Sequence, residues 1–202
     1  MLRISGYYGY GGMCARIAHI QKFLGTKRVW GTPSMDDNFN ITGASGTLNQ
    51  SYTNPYSGET ISVNGTFFIN SGVYDGGSRQ DSLSLTDNGD ALFIRNSMNV
   101  QTLVSIETIF AGDGGDLILL ADSMFVLDDI VINGGGGDDI IWSNAGDDII
   151  DAKAGMDIVH GGPGDDGISG GSGDDILRGG SGNDRFFGGA DDDQLFGGSG
   201  DD

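Results

Sequence analysis

The chain has 202 residues, 38 of them glycine and three proline, and a formal charge of −19 from 29 acids against 10 bases. Glycine without a strict third-place period and so little proline exclude a collagen-like helix, while the charge argues against a nucleic-acid partner and for cations. One cysteine, Cys14, excludes an internal disulfide framework, and no 18-residue apolar run is present to predict a membrane-spanning helix.

The charge is uneven. Residues 112–202 hold 21 Asp and no Glu against Lys153, Arg178 and Arg185, whereas residues 1–111 hold 8 acids and 7 bases. A solvated acidic face would use Asp and Glu alike. Asp alone points to short, stiff carboxylates fixed at turns and aimed at an ion.

In chain order, residues 1–30 carry five bases and no acid. Met13, Ile17, Ile20 and Leu24 fall at helical spacing. The expectation is a basic segment that caps the open end of a β-solenoid or is disordered; the alternative is a cationic helix that meets a membrane or a partner.

Residues 31–133 read as a β-rich region with degenerate repeats. The Asn64-Gly65 pair between apolar runs predicts a hairpin turn. Asp36 and Asp37 are read as solvated turn acids. From Gly76 a nine-residue pattern shows faintly as GGSRQDSLS and LTDNGDALF, with Asp81 and Asp90 each followed two places later by leucine. Arg79 stands where the pattern has glycine, so the strand is expected to persist without strong ion binding. AGDGGDLIL from Ala111 repeats the pattern but starts 23 residues before Gly134, so a bulge or loop within SMFVLDDIVIN must reset the phase.

From Gly134 to Asp202 the pattern is unbroken: GGGGDDIIW, SNAGDDIID, AKAGMDIVH, GGPGDDGIS, GGSGDDILR, GGSGNDRFF, GGADDDQLF and a final GGSGDD. Position six is always Asp, at Asp139, Asp148, Asp157, Asp166, Asp175, Asp184, Asp193 and Asp202. Position eight is always apolar, and glycine recurs at positions one, two and four. Such glycines allow positive φ and close backbone approach, and an apolar end that points one side chain inward suits a short strand. Each unit is therefore expected to form one turn and one short strand, with two units per coil.

Coils stacked about 4.8 Å apart would set each position-six carboxylate over that of the unit two further on. Calcium takes oxygen ligands at about 2.3–2.6 Å, so several ions are expected between such pairs. One edge would carry Asp139, Asp157, Asp175 and Asp193, the other Asp148, Asp166, Asp184 and Asp202. Turn carbonyls would complete each shell, at Gly161, Gly162, Gly164, Gly170, Gly171, Gly173, Gly179, Gly180 and Gly182. Sites around Asp166, Asp175 and Asp184 are expected to be strongest, and those near Asp148 and Asp157 weaker, because Ser143, Asn144, Ala152 and Lys153 replace glycines.

The last third of the chain closely resembles the haemolysin-type calcium-binding repeat of RTX proteins, G-G-x-G-x-D-x-U-x. The resemblance implies a parallel β-roll with rows of calcium ions, and secretion to the extracellular space by a type I system.

No H-E-x-x-H, G-x-S-x-G or phosphate-binding loop occurs. Cys14 has no histidine at a nucleophile spacing, and His160, at position nine of a unit, is read as structural or solvated. The chain is accordingly expected to be all-β and not an enzyme: a calcium-folded module of a secreted protein, with an irregular β-helix-like region leading into a β-roll at 134–202. The alternative is a fragment of a secreted enzyme or toxin whose effector region lies in 1–133. Because the chain stops at position six without an amphipathic export tail, a fragment or truncated product of a longer polypeptide is expected.

Overall fold

The computed structural model describes residues 106–121 and 127–202 continuously, and before them 21–23, 26–30, 38–40, 44–54, 56, 58, 60–70, 73–75, 80–85, 87–93 and 103–104. Nineteen strands and no helix form among these residues. They are β1 (Gln21–Phe23), β2 (Thr26–Trp30), β3 (Asn38–Asn40), β4 (Ala44–Thr53), β5 (Thr60–Asn70), β6 (Val73–Asp75), β7 (Ser82–Ser84), β8 (Asp90–Phe93), β9 (Leu103–Val104), β10 (Thr108–Phe110) and β11 (Leu117–Leu119), followed by β12 (Val131–Gly136), β13 (Ile140–Trp142), β14 (Ile149–Ala154), β15 (Ile158–Pro163), β16 (Gly167–Ser172), β17 (Ile176–Ser181), β18 (Arg185–Ala190) and β19 (Gln194–Ser199).

From β12 onward the nonapeptides wind into a parallel β-solenoid of about four turns over 131–199. Successive strands alternate between two sheets, so each strand pairs with the one two units on. Ile150 lies beside Ile168 and Ile168 beside Phe186 in one sheet, while Val159 lies beside Leu177 and Leu177 beside Leu195 in the other.

Position eight points inward, as period-two strand geometry requires. Ile141, Ile150, Val159, Ile168 and Leu177 are buried, Phe186 is partly buried, and Leu195 is exposed.

The strands are longer than one nonapeptide end. β14 through β19 each span six residues, from position seven of one unit to position three of the next. Positions one and two therefore lie within the hydrogen-bonded ladder, as in the pair Gly171↔Gly189, and the turn itself is only positions four to six. β13 is the exception at three residues and stops at Trp142, before Ser143 and Asn144.

The solenoid continues N-terminally although the repeat does not. β10 pairs with β12 and β11 with β13, both parallel, at a step of 23 residues (Thr108↔Val131, Leu117↔Ile140). One coil earlier the step is 26, as in Ser82↔Thr108 and Ala91↔Leu117. A regular coil takes 18, so five and eight additional residues are accommodated without breaking either sheet.

In the earlier coils a third sheet, of order β1-β2-β6-β9, runs beside the other two. Its parallel pairs β2·β6 and β6·β9 give those coils three sides. The chain thus passes from three-sided, β-helix-like coils to two-sided ones. Leu83, Leu92, Ile109, Ile118, Leu120, Ile130 and Ile132 continue the buried column below Ile141.

Two expectations are corrected. Within the stretch from Met13 to Leu24, whose spacing is helical, Gln21–Phe23 form a strand, paired antiparallel with β2 through Gln21↔Arg28 and Phe23↔Thr26. Cross-strand pairing supplies the hydrogen bonds that a three-residue stretch cannot make as a helix. Met13, Ile17, Ile20 and Leu24 themselves lie outside the described residues, as do Asp36 and Asp37.

Asn64 and Gly65 do not turn the chain. They lie within β5, opposite Asn49 and Leu48 of β4. The reversal lies between Thr53 and Thr60, where the Gly58 N–H donates to the Asn54 carbonyl at 2.9 Å and the Tyr56 N–H to Asn54 Oδ1 at 2.9 Å. Gly58 takes φ 73° there. An asparagine whose side chain folds over its own turn, closed by a left-handed glycine, outweighs an Asn-Gly pair embedded in a β-branched and aromatic run.

Candidate functional site

The position-six aspartates all fall at the turn that follows the third strand residue of one unit and precedes the seventh of its own. Stacking brings them into two columns. Along one, the Asp139 N–H donates to Asp157 Oδ1 at 2.8 Å, that of Asp157 to Asp175 Oδ1 at 2.9 Å, and that of Asp175 to Asp193 Oδ1 at 3.1 Å. Along the other, Asp148 donates to Asp166, Asp166 to Asp184 and Asp184 to Asp202, at 2.8, 2.9 and 2.9 Å. Asp193 is half-buried and Asp202 exposed; the other six are buried.

The first column runs further back than 134. Asp116 N–H donates to Asp139 Oδ1 at 2.7 Å and Asp90 N–H to Asp116 Oδ1 at 2.6 Å. In the second column Ile130, buried and apolar, takes the place below Asp148 and offers only its N–H, at 2.9 Å. Below it Glu107 accepts from the Asp81 N–H at 2.6 Å.

Asp116 and the position-six aspartates thus each use Oδ1 on a backbone N–H of the coil before. The other oxygen, Oδ2, is buried without a hydrogen-bond partner in Asp116, Asp139, Asp157, Asp166, Asp175 and Asp184. A buried anionic oxygen with no partner is expensive.

Burial is the first cause of a raised pKa at every one, opposed by the backbone N–H and reinforced by nearby carboxylates of the position-five and position-six ladders. Asp116 and Asp166 are pushed from the ordinary 3.8 up to about 8, Asp139 and Asp148 to about 7, and Asp157 to about 6. Asp175 and Asp184 are raised for the same reasons. At Asp148 the Ser143 hydroxyl also opposes the rise. Such a column is built for a cation that would neutralise it.

The glycines divide into two roles. At position one the need is space: a Cβ on Gly161, Gly170 or Gly179 would come within 2.2, 2.1 and 2.0 Å of Oδ2 of Asp166, Asp175 and Asp184 in their own units. In these three units the unpartnered oxygen therefore sits in a hollow that a side chain at position one would fill.

At positions two and four the need is conformation. Gly162, Gly164, Gly171, Gly173, Gly180 and Gly182 all have φ between 115° and 142°. The same glycines meet a carbonyl of the coil before: a Cβ on Gly180 would lie 2.1 Å from the Gly162 oxygen, and one on Gly182 2.0 Å from that of Gly164. Lys153 and Asp191 replace glycine at these positions and still hold φ 86° and 80°.

Among the described residues no three His, Cys, Asp or Glu side chains gather closely enough to hold an ion by themselves. An ion at the columns must therefore combine one or two position-six carboxylates with backbone oxygens. That all-oxygen, hard-donor set fits calcium.

A second acidic ladder, at position five, is absent from the candidate set read from the sequence. Asp147 N–H donates to Asp129 Oδ1, Asp165 to Asp147, Asn183 to Asp165 and Asp201 to Asn183, at 2.7–3.0 Å. On the other edge Met156 donates to Asp138 and Asp192 to Asp174. The direction is opposite to that of position six: here the later coil donates to the earlier one. The signal in the sequence is Asp or Asn at seven of eight position-five places, with Met156 the exception.

His160 is buried, its ring set edge-on to Trp142 with centroids 5.9 Å apart, so its role is structural.

Residues 131–202 match the family model of the RTX calcium-binding nonapeptide repeat in four copies, at 131–157, 144–177, 151–185 and 169–202. This segment is a calcium-binding β-roll module of the RTX type. No curated protein and no solved structure matches the chain.

Proposed function

We propose that the protein is an exported, non-catalytic structural module that remains unfolded where calcium is scarce and folds on meeting calcium outside the cell. The observation that carries this reading is the pair of columns of buried position-six carboxylates, of which Asp139, Asp166, Asp175 and Asp184 each have one oxygen left without a partner in a hollow kept open by glycine. Asp139, Asp157, Asp175 and Asp193 would hold ions on one edge, and Asp148, Asp166, Asp184 and Asp202 on the other, with turn carbonyls as the remaining donors. Bound calcium supplies the positive charge that lets stacked carboxylates stay ionised while buried.

The energetics favour coupling between folding and binding. Without an ion, folding must bury like charges on top of one another; with it, each site ties two coils together, so binding free energy becomes folding free energy. Extracellular calcium modules bind at about 10⁻⁴–10⁻³ M, a concentration found outside cells. RTX repeats are typical of exported proteins, and an unfolded chain is the form a secretion channel can thread.

The test is a far-ultraviolet circular dichroism titration of the full chain with calcium and then with a chelator. The expected outcome is a cooperative gain of β signal that the chelator reverses. A full β spectrum already present in chelator at neutral pH would overturn the folding switch.

A further inference from the structure

The position-one hollow has a second wall besides the carboxylate. The point where a Cβ would stand on Gly134 has Asp139 Oδ2 and the Ala152 carbonyl oxygen both within 2.6 Å. On Gly161 it has Asp166 Oδ2 and the Gly179 oxygen within 3.0 Å, and on Gly170 Asp175 Oδ2 and the Gly188 oxygen within 2.7 Å. In each case the carbonyl belongs to position one of the unit two further on. Two oxygens that can only accept thus converge on one point, which suits a cation or a hydrogen-bond donor.

One unit fills this point from within the chain. Ser143 stands at position one and is buried, and its hydroxyl donates to the Gly161 carbonyl oxygen. Gly161 is position one two units on, so this carbonyl is the counterpart of the one that lines the hollow elsewhere. The same hydroxyl lies beside the Asp148 carboxyl.

The backbone departs from the repeat at the same place. Lys153 and every position-two glycine from Gly135 to Gly198 have φ between 86° and 126°, whereas Asn144 does not take a positive φ. Its side chain ties the turn to the core, with Nδ2 donating to the Leu120 carbonyl at 3.0 Å and Oδ1 accepting from the Ala145 N–H at 2.8 Å. The pairing that joins position two of neighbouring coils at Gly162↔Gly180 has no counterpart between Asn144 and Gly162, where the ladder ends at Trp142↔His160.

A hydroxyl brings one proton and no net charge. It satisfies the carbonyl, and it leaves no room for an ion whose ligands must stand at about 2.3–2.6 Å. Resting on the calcium reading above, we propose that the Ser143 hydroxyl takes the place of the ion at this turn, so that the hollow of Asp148 holds no calcium and is the exception in its row. The coil before it offers no carboxylate on this edge either, because Ile130 stands there with only its N–H. On this edge the ions therefore begin at Asp166, one coil later than the repeat does.

The experiment counts calcium in the full chain. Protein is dialysed to equilibrium in excess calcium, its β signature is checked, and bound calcium per chain is measured by atomic emission. Ser143→Gly opens the hollow and is expected to raise the count by one. Ser143→Ala keeps it filled with a methyl group, so the count should stay that of the unaltered protein, while the urea midpoint in calcium falls because the Gly161 carbonyl loses its donor. Gly161→Ser, the same exchange one coil on, should lower the count by one. Anomalous scattering from crystals of the unaltered protein grown in calcium should show an ion beside Asp166 and none between Ser143 and Gly161.

An ion found between Ser143 and Gly161 would overturn the proposal without recourse to any variant. So would an unchanged count in Ser143→Gly, a raised count or an unchanged midpoint in Ser143→Ala, or a full count in Gly161→Ser. These outcomes leave calcium binding by the other units intact. An unaltered chain that binds no calcium at all would instead remove the calcium reading on which the proposal rests.

Discussion

At the scale of single residues, the same amino acid serves different needs at different places in the nonapeptide. Gly179 and Gly167 make the contrast testable. A Cβ at Gly179 would meet Asp184 Oδ2 at 2.0 Å, whereas at Gly167 the nearest atom is the Asp148 carbonyl at 3.9 Å. Gly179→Ala is expected to destabilise the calcium-loaded protein by about 1–3 kcal/mol, the range for forced overpacking, and to weaken calcium binding. Gly167→Ala should be neutral or stabilise by about 0.5–1 kcal/mol, since an interior strand glycine is itself costly. Urea unfolding in excess calcium measures both.

Lys153 supplies the converse case. It holds φ 86° without being glycine, and its ammonium pairs with Asp151 at 2.5 Å across a largely exposed surface. A left-handed residue with a Cβ costs about 1–2 kcal/mol, and an exposed ion pair contributes roughly 0–1 kcal/mol. Lys153→Gly is therefore expected to raise the midpoint of thermal unfolding in calcium; a lower midpoint would mean that the ion pair outweighs the backbone.

At the scale of elements, the hairpin from Ala44 to Asn70 joins the irregular coils to the regular ones. β5 pairs with β8 through Phe68↔Asp90, and the tip reaches Asn144, 88 residues from Tyr56. Asn144 is fully buried; its Nδ2 donates to the Leu120 carbonyl at 3.0 Å and its Oδ1 also accepts from the Ala145 N–H at 2.8 Å.

An asparagine in a glycine position, read as a weakened ion site, is thus the point where the tip is anchored. Tyr56→Phe leaves Asn144 its other hydrogen bonds, so the loss should be about 1 kcal/mol. It should appear as faster hydrogen exchange in β4 and β5 with little change in β14 through β17. Uniform acceleration throughout would show that the tip holds the whole stack together.

At the scale of the whole molecule, the raised carboxyl pKa values make the ion-free fold sensitive to pH. The unfolded chain releases these protons near 3.8, whereas the folded columns keep them up to about 6–8. Between those limits the folded state binds more protons than the unfolded one, so its stability falls as pH rises.

In chelator, the β signal is expected to be greatest at or below about pH 4 and to be lost progressively toward pH 8. Calcium should reverse the trend, because it replaces the protons and binds best when the carboxylates are ionised. Circular dichroism at fixed pH values, with and without calcium, checks both limbs. A flat profile in chelator would count against the columns as the determinant of stability.

How much of this was legible beforehand differs along the chain. From Gly134 onward the nonapeptide was sufficient for the alternation of turn and strand, the inward side chain at position eight and the stacking of Asp139 on Asp157 or Asp166 on Asp184. Those features follow from backbone geometry that each unit carries locally and repeats in phase. The position-five ladder was written there too, in seven Asp or Asn residues, but its meaning depends on which N–H lies beneath each carboxylate in the next coil.

Other features were decided only by the tertiary structure. The three-sided coils, the steps of 23 and 26 residues, the hairpin reversal after Thr53 and the anchoring of Tyr56 on Asn144 all rest on partners far apart in the chain. Position-one glycine is similar. Its spacing was plain, but the hollow it leaves for Asp184 Oδ2 exists only once the turn folds that side chain back over the ladder. Local periodicity specifies the shape of one coil; pairing between distant strands decides what each coil meets.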